Sequence, residues 1–327
     1  MYYNLEAFGR KISQIRKNLG YTQKDISNLS SLTIETLRKI ENGKVLPTQI
    51  TLELLSPILK VDLNQLLLNY RIPNYDEFNK LKNKIECKIE NGNYFNLEND
   101  LKYMKKILDK QNLNNYAYKL MHQFYYFVEA IILKKIYKDY EKSLSKLIFA
   151  MKVMTPKFNQ IKYKEFVYCD FEIRILMNIA LLFSELESVE KCQEMLLFCL
   201  NSINSDEINI KLKILYNISY TFHKMNMHSK ALYFANEGIK LCIENNKLNC
   251  LAHLYSRKGI AQYFLRDETY ITSLRTAINL YNITNQDNFK KLLIKFCKIY
   301  KIDTTKQLNR SIDNFQTKLT NISFSLI

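Results

Sequence analysis

Apolar residues in the first 70 positions recur at spacings of three and four. Leu5, Phe8, Ile12, Ile15 and Leu19 mark one face of a first helix, and Gly20 supplies the left-handed residue that closes it. Thr22 is placed to cap a second helix with Ile26 and Leu29 turned inward. Thr33 caps a third, with Leu37 and Ile40 inward and Asn42-Gly43 at its end. A fourth runs from Thr48 to Leu59, where Pro57 is expected to kink or end it. Asp62 caps a short fifth through Leu63, Leu66 and Leu67. No stretch sustains the period-two alternation of a half-buried strand. The pattern predicts a compact bundle of five short helices.

That rhythm stops in "NYRIPNYDEF" around Pro73, and the chain beyond it is repetitive. Segments beginning at Met177, Tyr216 and Lys258 align on Asn178, Asn217 and Gly259, which lie 39 (217 − 178) and 42 (259 − 217) residues apart. Each reads as an amphipathic helix, a polar turn and a second helix, with Ala231 and Ala277 at close-approach positions. Looser copies run from Ile85 to Leu108 and from Phe127 to Met151. No single pair can bury its apolar face, so neighbours must stack into one continuous core. The expected fold is all-α: a five-helix domain over residues 1–70, a linker over 71–76, a tetratricopeptide-like right-handed superhelix of helical hairpins over 77–300, and a capping segment over 301–327.

Composition agrees with helices, since a chain of 327 residues with 6 Gly and 4 Pro is poor in turn formers. A formal charge of +16 fits a polyanionic partner. Only +3 of it lies in residues 1–70, where nine Lys/Arg face six Asp/Glu, so charge alone does not locate a DNA site. Seven scattered cysteines without a CxxC pair read as reduced, packed thiols. The N-terminus lacks an apolar leader and no uncharged run is long enough to span a membrane, so a cytoplasmic location is expected.

The run "IRKNLGYTQKDIS…LTIETLRKIENGKVLPTQITLELLSPILKVDLNQLL" resembles the Cro/repressor-type (XRE) helix-turn-helix domain. The resemblance implies binding to double-stranded operator DNA, with the third helix in the major groove. Thr33, Ile34, Glu35, Arg38 and Lys39 match base-reading positions of that family. Arg38 or Lys39 suits guanine, Glu35 a cytosine amino group, and Thr33 or Ile34 a thymine methyl. Thr22, Gln23, Asn42 and Lys44 match phosphate contacts. Ser31 and Lys60 stand where that family commonly has glycine, which places a left-handed conformation on residues that adopt it at a cost.

An array of helical pairs presents a concave face to an extended peptide. Asn178 and Asn217 occupy equivalent places there, each with a donor and an acceptor for a peptide backbone unit. Arg174 could meet a carboxylate, and Tyr216, Tyr220, Tyr255 and Arg257 border the same surface. The run "LYNISYTFHKMN…ALYFANEGIKLCIENN…LAHLYSRKGIAQYFL" resembles the peptide-sensing regulators grouped as Rgg, Rap, NprR, PlcR and PrgX. That resemblance implies a Gram-positive cytoplasmic transcription regulator of the quorum-sensing type, dimeric, whose repeat domain binds a short linear signalling peptide. Ser219 departs from the group in replacing a small apolar residue.

Enzyme chemistry has little support. There is no Gly-rich phosphate loop, GxSxG or HExxH, and no cofactor or metal is expected. The four histidines are 122, 223, 228 and 253, and the spacing of His223 and His228 does not match a one-turn metal pair. Two other readings are a DNA-binding scaffold whose repeats dock a protein partner, and a Rap- or NprR-like phosphatase.

Overall fold

The computed structural model describes residues 3–70, 75–109 and 116–302. Among them every regular element is helical. The segment around Pro73 and most of the expected capping segment lie outside the described residues. No described helix is long and apolar enough to cross a membrane. The chain divides into two compact units, the first drawn from Met1–Glu86 and Glu98–Tyr125, the second from Cys87–Leu97 and Tyr126–Ile327.

The first unit opens with the five expected helices: α1 (Leu5–Asn18), α2 (Gln23–Ser30), α3 (Ile34–Glu41), α4 (Gln49–Leu59) and α5 (Leu63–Leu68). Thr22, Thr33, Thr48 and Asp62 cap the last four, each side chain accepting from the backbone N–H three residues on. Phe8, Ile12, Ile26, Leu37, Ile40, Leu52, Leu55, Leu59 and Leu63 form one buried core. Two expected core positions differ: Leu29 is 58% exposed and Leu19 43% exposed. Leu29 stands in the last turn of α2 and Leu19 is the C-cap residue just past α1, where the 3.6-residue period carries an apolar position off the inward face.

Ser31 and Lys60 do take left-handed backbone, each at φ 58°. Pro57 does not stop α4, which runs two residues further. The Ser56 hydroxyl donates to the Leu52 carbonyl at 2.6 Å and accepts from the Leu63 backbone at 3.0 Å, so one side chain ties the end of α4 to the start of α5. Gly9 lets α1 approach α3, because a Cβ there would stand 2.4 Å from the Ile40 and Glu41 carbonyl oxygens.

α6 (Tyr75–Glu90), α7 (Leu97–Leu108) and α8 (Tyr116–Ile132) come next, and a π-helical turn over Leu133–Tyr137 leads into α9 (Tyr140–Met154). The second unit continues through α10 (Asp170–Leu186), α11 (Val189–Ser202), α12 (Ile208–Lys224), α13 (His228–Glu244), α14 (Leu248–Phe264), α15 (Tyr270–Ile283) and α16 (Asp287–Ile299). These are the helical pairs that the repeats predict. Five successive turns share one device. Asn226, Asn246, Arg266, Asn285 and Lys301 are left-handed, and the residue after each returns its N–H to the carbonyl five residues back, at 2.8–3.0 Å. This bond closes the helix end in the manner of a Schellman cap, and asparagine adopts the required conformation at less cost than most residues.

The common register also corrects the alignment of the repeats. Asn217 stands nine residues before Asn226, the left-handed residue that follows α12. By the same count from Arg266 the third counterpart is Arg257, not Gly259. Gly259 instead faces α15, where a Cβ would stand 2.7 Å from Leu274.

Candidate functional site

Two surfaces carry the candidate residues. On the first unit, α3 is held from behind. Arg16 on α1 makes a paired contact with Glu41, Nε to Oε1 at 2.6 Å and Nη2 to Oε2 at 3.0 Å, and Nη1 donates to the Tyr21 carbonyl at 2.7 Å. Gln23 Nε2 adds a third donor to Glu41 at 2.7 Å. Both charged groups are buried, and the Glu41 bond holds the Arg16 guanidinium above its usual pKa. The arrangement fixes α1, the start of α2 and the end of α3 against one another, and sequence reasoning missed it because the partners lie 25 residues apart.

With its inner face so fixed, α3 turns Thr33, Ile34, Glu35, Arg38 and Lys39 to solvent, and Asn42 and Lys44 are exposed just beyond it. Glu35 and Lys39 pair across one turn at 2.9 Å, and this bond keeps the Glu35 carboxyl below its usual range. Arg38 has no ion-pair partner among the described residues. Thr22 is committed to a capping box with Asp25, and the Gln23 amide to Glu41. What α2 offers a phosphate is therefore its first backbone N–H groups rather than these side chains.

The second surface is a groove of about 570 Å³ within the second unit. Arg174, Asn178, Tyr216 and Asn217 line it together. The Asn178 and Asn217 amides donate to the carbonyls four residues back, Arg174 and Lys213, each at 2.8 Å. This fixes both side chains in one orientation and leaves each Oδ1 without a partner among the described residues. Arg174 lies over the Phe127 ring at 4.7 Å, and Phe127, Ile131, Leu181 and Phe289 supply apolar wall.

Three candidates do not line this groove. Arg257 lies behind Tyr216, its guanidinium 4.6 Å from that ring and 4.4 Å from the ring of Tyr220, and donates to the Tyr216 hydroxyl. Tyr255 packs against the α14–α15 core.

Lys213, His253, Phe289 and Gln286 line the groove and were not singled out in the sequence. One signal could have found the first two. Arg174, Lys213 and His253 stand four residues before Asn178, Asn217 and Arg257, in the same slot of three successive first helices. His253 bonds the Tyr281 hydroxyl at 2.8 Å, and burial with nearby Arg257 and Lys213 pushes its pKa down to about 3. Gln286 is 1% exposed and its Oε1 has no partner among the described residues.

The remaining titratable groups suggest structure. His223 and His228 meet across their turn despite their spacing, Nδ1 to Nδ1 at 3.1 Å, and His223 Nε2 bonds the Tyr300 hydroxyl at 3.0 Å. Among the described residues no three such groups converge as a metal site would require. Cys192, Cys199, Cys242 and Cys297 are buried, and burial raises each thiol, Cys192 and Cys242 to about 12. Cys87 and Cys169, expected to pack, are exposed. Ser219 is fully buried, and its hydroxyl donates to the Ala231 carbonyl at 2.7 Å, which explains how a polar residue fits there.

With this geometry in place, comparison gives the kinship. Residues 12–66 match the helix-turn-helix family, and residues 155–302 match the RNPP family C-terminal domain. The match identifies residues 155–302 as similar to that C-terminal domain, and residues 12–66 as similar to a helix-turn-helix. The helix-turn-helix match covers α2 and α3, and the C-terminal match covers α10–α16 with most of the groove. The fold is similar to that of Bacillus thuringiensis PlcR in complex with the peptide PapR7 and DNA, at TM-score 0.71 and 20% identity, over 88% of this chain and 99% of that one. It is also similar to ComR from S. thermophilus in complex with DNA and its signalling peptide ComS, at 0.53 and 13%, over 88% and 97%. A third similar fold is the Streptococcus dysgalactiae SHP pheromone receptor Rgg2, at 0.55 and 11%, over 90% and 99%. No curated protein matches the chain by sequence.

Proposed function

We propose that this chain is an RNPP-type cytoplasmic transcription regulator that binds operator DNA through α3 and is controlled by a short linear peptide in the groove of its second unit. It acts by binding rather than by catalysis, and as a homodimer, so that two copies of α3 meet two half-sites. The observation that carries the reading is the matched pair Asn178 and Asn217. Each is clamped by its own helix and turns a carbonyl oxygen into a groove with apolar walls, the arrangement that a main-chain ligand needs.

On the DNA side, Arg38 and Lys39 project from a helix whose inner face is locked to α1, so their positions are set before DNA arrives. Arg38 is the proposed guanine reader, Glu35 and Lys39 a pair that opens toward bases, and Lys44, Asn42 and the start of α2 the phosphate contacts. Each domain then has its role: residues 1–70 bind DNA, and the repeats bind peptide and pair the chains. The similar PlcR and ComR structures hold both a peptide and DNA, which supports joining the two surfaces in one mechanism. A peptide that binds one arrangement of the chain better than another shifts the population competent for DNA.

The DNA half is tested by binding to the intergenic segment upstream of the gene, wild type beside a variant carrying Arg38→Ala and Lys39→Ala. Selective binding that the variant loses is expected. Equal binding by both, or none that prefers this segment over unrelated DNA, would remove α3 as the reader.

A further inference from the structure

The groove's charged lining is lopsided: Arg174, Lys213 and Lys247 face a single carboxylate, Glu90. That carboxylate is engaged, since Lys213 Nζ donates to Glu90 Oε1 at 2.9 Å, and no second donor reaches it among the described residues. The two side chains are 27% and 44% exposed, so water and ligands reach the pair. A pair of this kind contributes little stability and exchanges partners readily.

Glu90 ends α6, and this helix carries residues of both units: Tyr75–Glu86 belongs to the first, Cys87 onward to the second. The end of α6 and the turn after it are held to the rest of the second unit at three points. One is Glu90–Lys213. Another is Asn288 Nδ2, which donates to the Gly92 carbonyl at 3.2 Å. The third is the Phe289 ring, so close to Gly92 that a Cβ there would stand 3.0 Å from it. Lys213 and Phe289 also line the groove. The side chains available to a ligand are therefore the ones that secure the end of α6.

We propose that Glu90 occupies the place of a ligand carboxylate, and that the bound peptide is acidic: its carboxylate, from a side chain or the C-terminus, takes Lys213, displaces Glu90 and loosens the α6–α7 turn. This rests on the reading of the groove as a peptide site. Lys213 exchanges one carboxylate for another, so the groove's charge is neutralised by the ligand and Glu90 returns to solvent. An uncharged peptide of the same shape leaves the pair closed, which makes the pair both a selector for acidic ligands and the first step of the response.

The test uses the full chain and an equimolar pool of random heptapeptides with free C-termini, beside the same pool amidated, with bound peptides read by mass spectrometry. Wild type is expected to enrich Asp or Glu at a fixed position, or to require the free C-terminus. Lys213→Met should lose that preference while still retaining peptides. Glu90→Gln, lacking the internal competitor, should bind the enriched peptide roughly threefold tighter. Hydrogen exchange in residues 88–95 should quicken with that peptide and not with its Glu→Gln or amidated counterpart. Retention of peptides with no acidic preference, or a preference that survives Lys213→Met, would overturn the exchange and leave the peptide site standing. Unchanged affinity in Glu90→Gln or unchanged exchange in the turn would do the same. Retention of no peptide by wild type would overturn the peptide reading and the exchange with it.

Discussion

Arg16 and Glu41 meet through two hydrogen bonds, at 2.6 and 3.0 Å, with both side chains more than nine-tenths buried. The pair ties α1 to the last residue of α3, the helix proposed to read DNA. Removing one partner leaves the other charged and desolvated, which is worse than never having had the pair. Arg16→Ala should therefore destabilise the first unit by about 3 kcal/mol. Urea unfolding followed by circular dichroism checks this, and an unchanged midpoint would show the pair to be dispensable.

Arg38 and Lys44 should fail differently. If Arg38 meets a base edge, Arg38→Ala relaxes preference at one operator position, at a cost of about 1–3 kcal/mol. Lys44→Ala should weaken binding evenly across sequences and reduce the slope of log affinity against log salt by about one. Titrations of single-base operator variants at several salt concentrations separate the two. Identical behaviour of the two variants would mean that Arg38 touches only phosphate.

Gly238 on α13 lies against α14, where a Cβ would stand 2.5 Å from the Leu254 side chain. Gly238→Ala gains helix propensity but must push Leu254 aside in a packed interface. A net loss of about 1–2 kcal/mol is expected from thermal or urea unfolding. A more stable variant would show that the interface has room to give.

Stability should fall on mild acidification. His223 and His253 are held neutral in the fold, with pKa values pushed down to about 4 and about 3 by burial first and by neighbouring cations second. In the unfolded chain both regain a value near 6.5. Their contribution is complete above about pH 6.5 and is lost as the pH falls toward the folded values, because the unfolded chain binds more protons across that window. Between pH 7.5 and 5.5, above the carboxylate range, the loss should be on the order of 1 kcal/mol after allowance for solvent screening. His253→Gln should flatten the dependence, and a midpoint equal at the two pH values would contradict it.

Much of this architecture is legible in the sequence because its signals are local. Thr22, Thr33, Thr48 and Asp62 mark helix starts within one turn of the residues they serve, and each acts as expected. The matched asparagines are visible because two successive repeats place them at one slot. What escaped were relationships between distant positions. Arg16 with Glu41 and Lys213 with Glu90 depend on how helices pack, and no spacing rule reports that. Arg257 is expected from the sequence to border the groove, yet its guanidinium lies against the Tyr216 and Tyr220 rings and donates to the Tyr216 hydroxyl, a burial that no spacing rule reports.

The most direct test of the account is the affinity of the full chain for the DNA upstream of its own gene, measured with and without short peptides encoded beside that gene. Wild type is compared with a variant carrying Asn178→Ala and Asn217→Ala. One peptide is expected to change wild-type affinity at least tenfold, while the variant binds DNA equally well yet ignores that peptide. DNA binding indifferent to every peptide, or a variant that responds as wild type does, would contradict it.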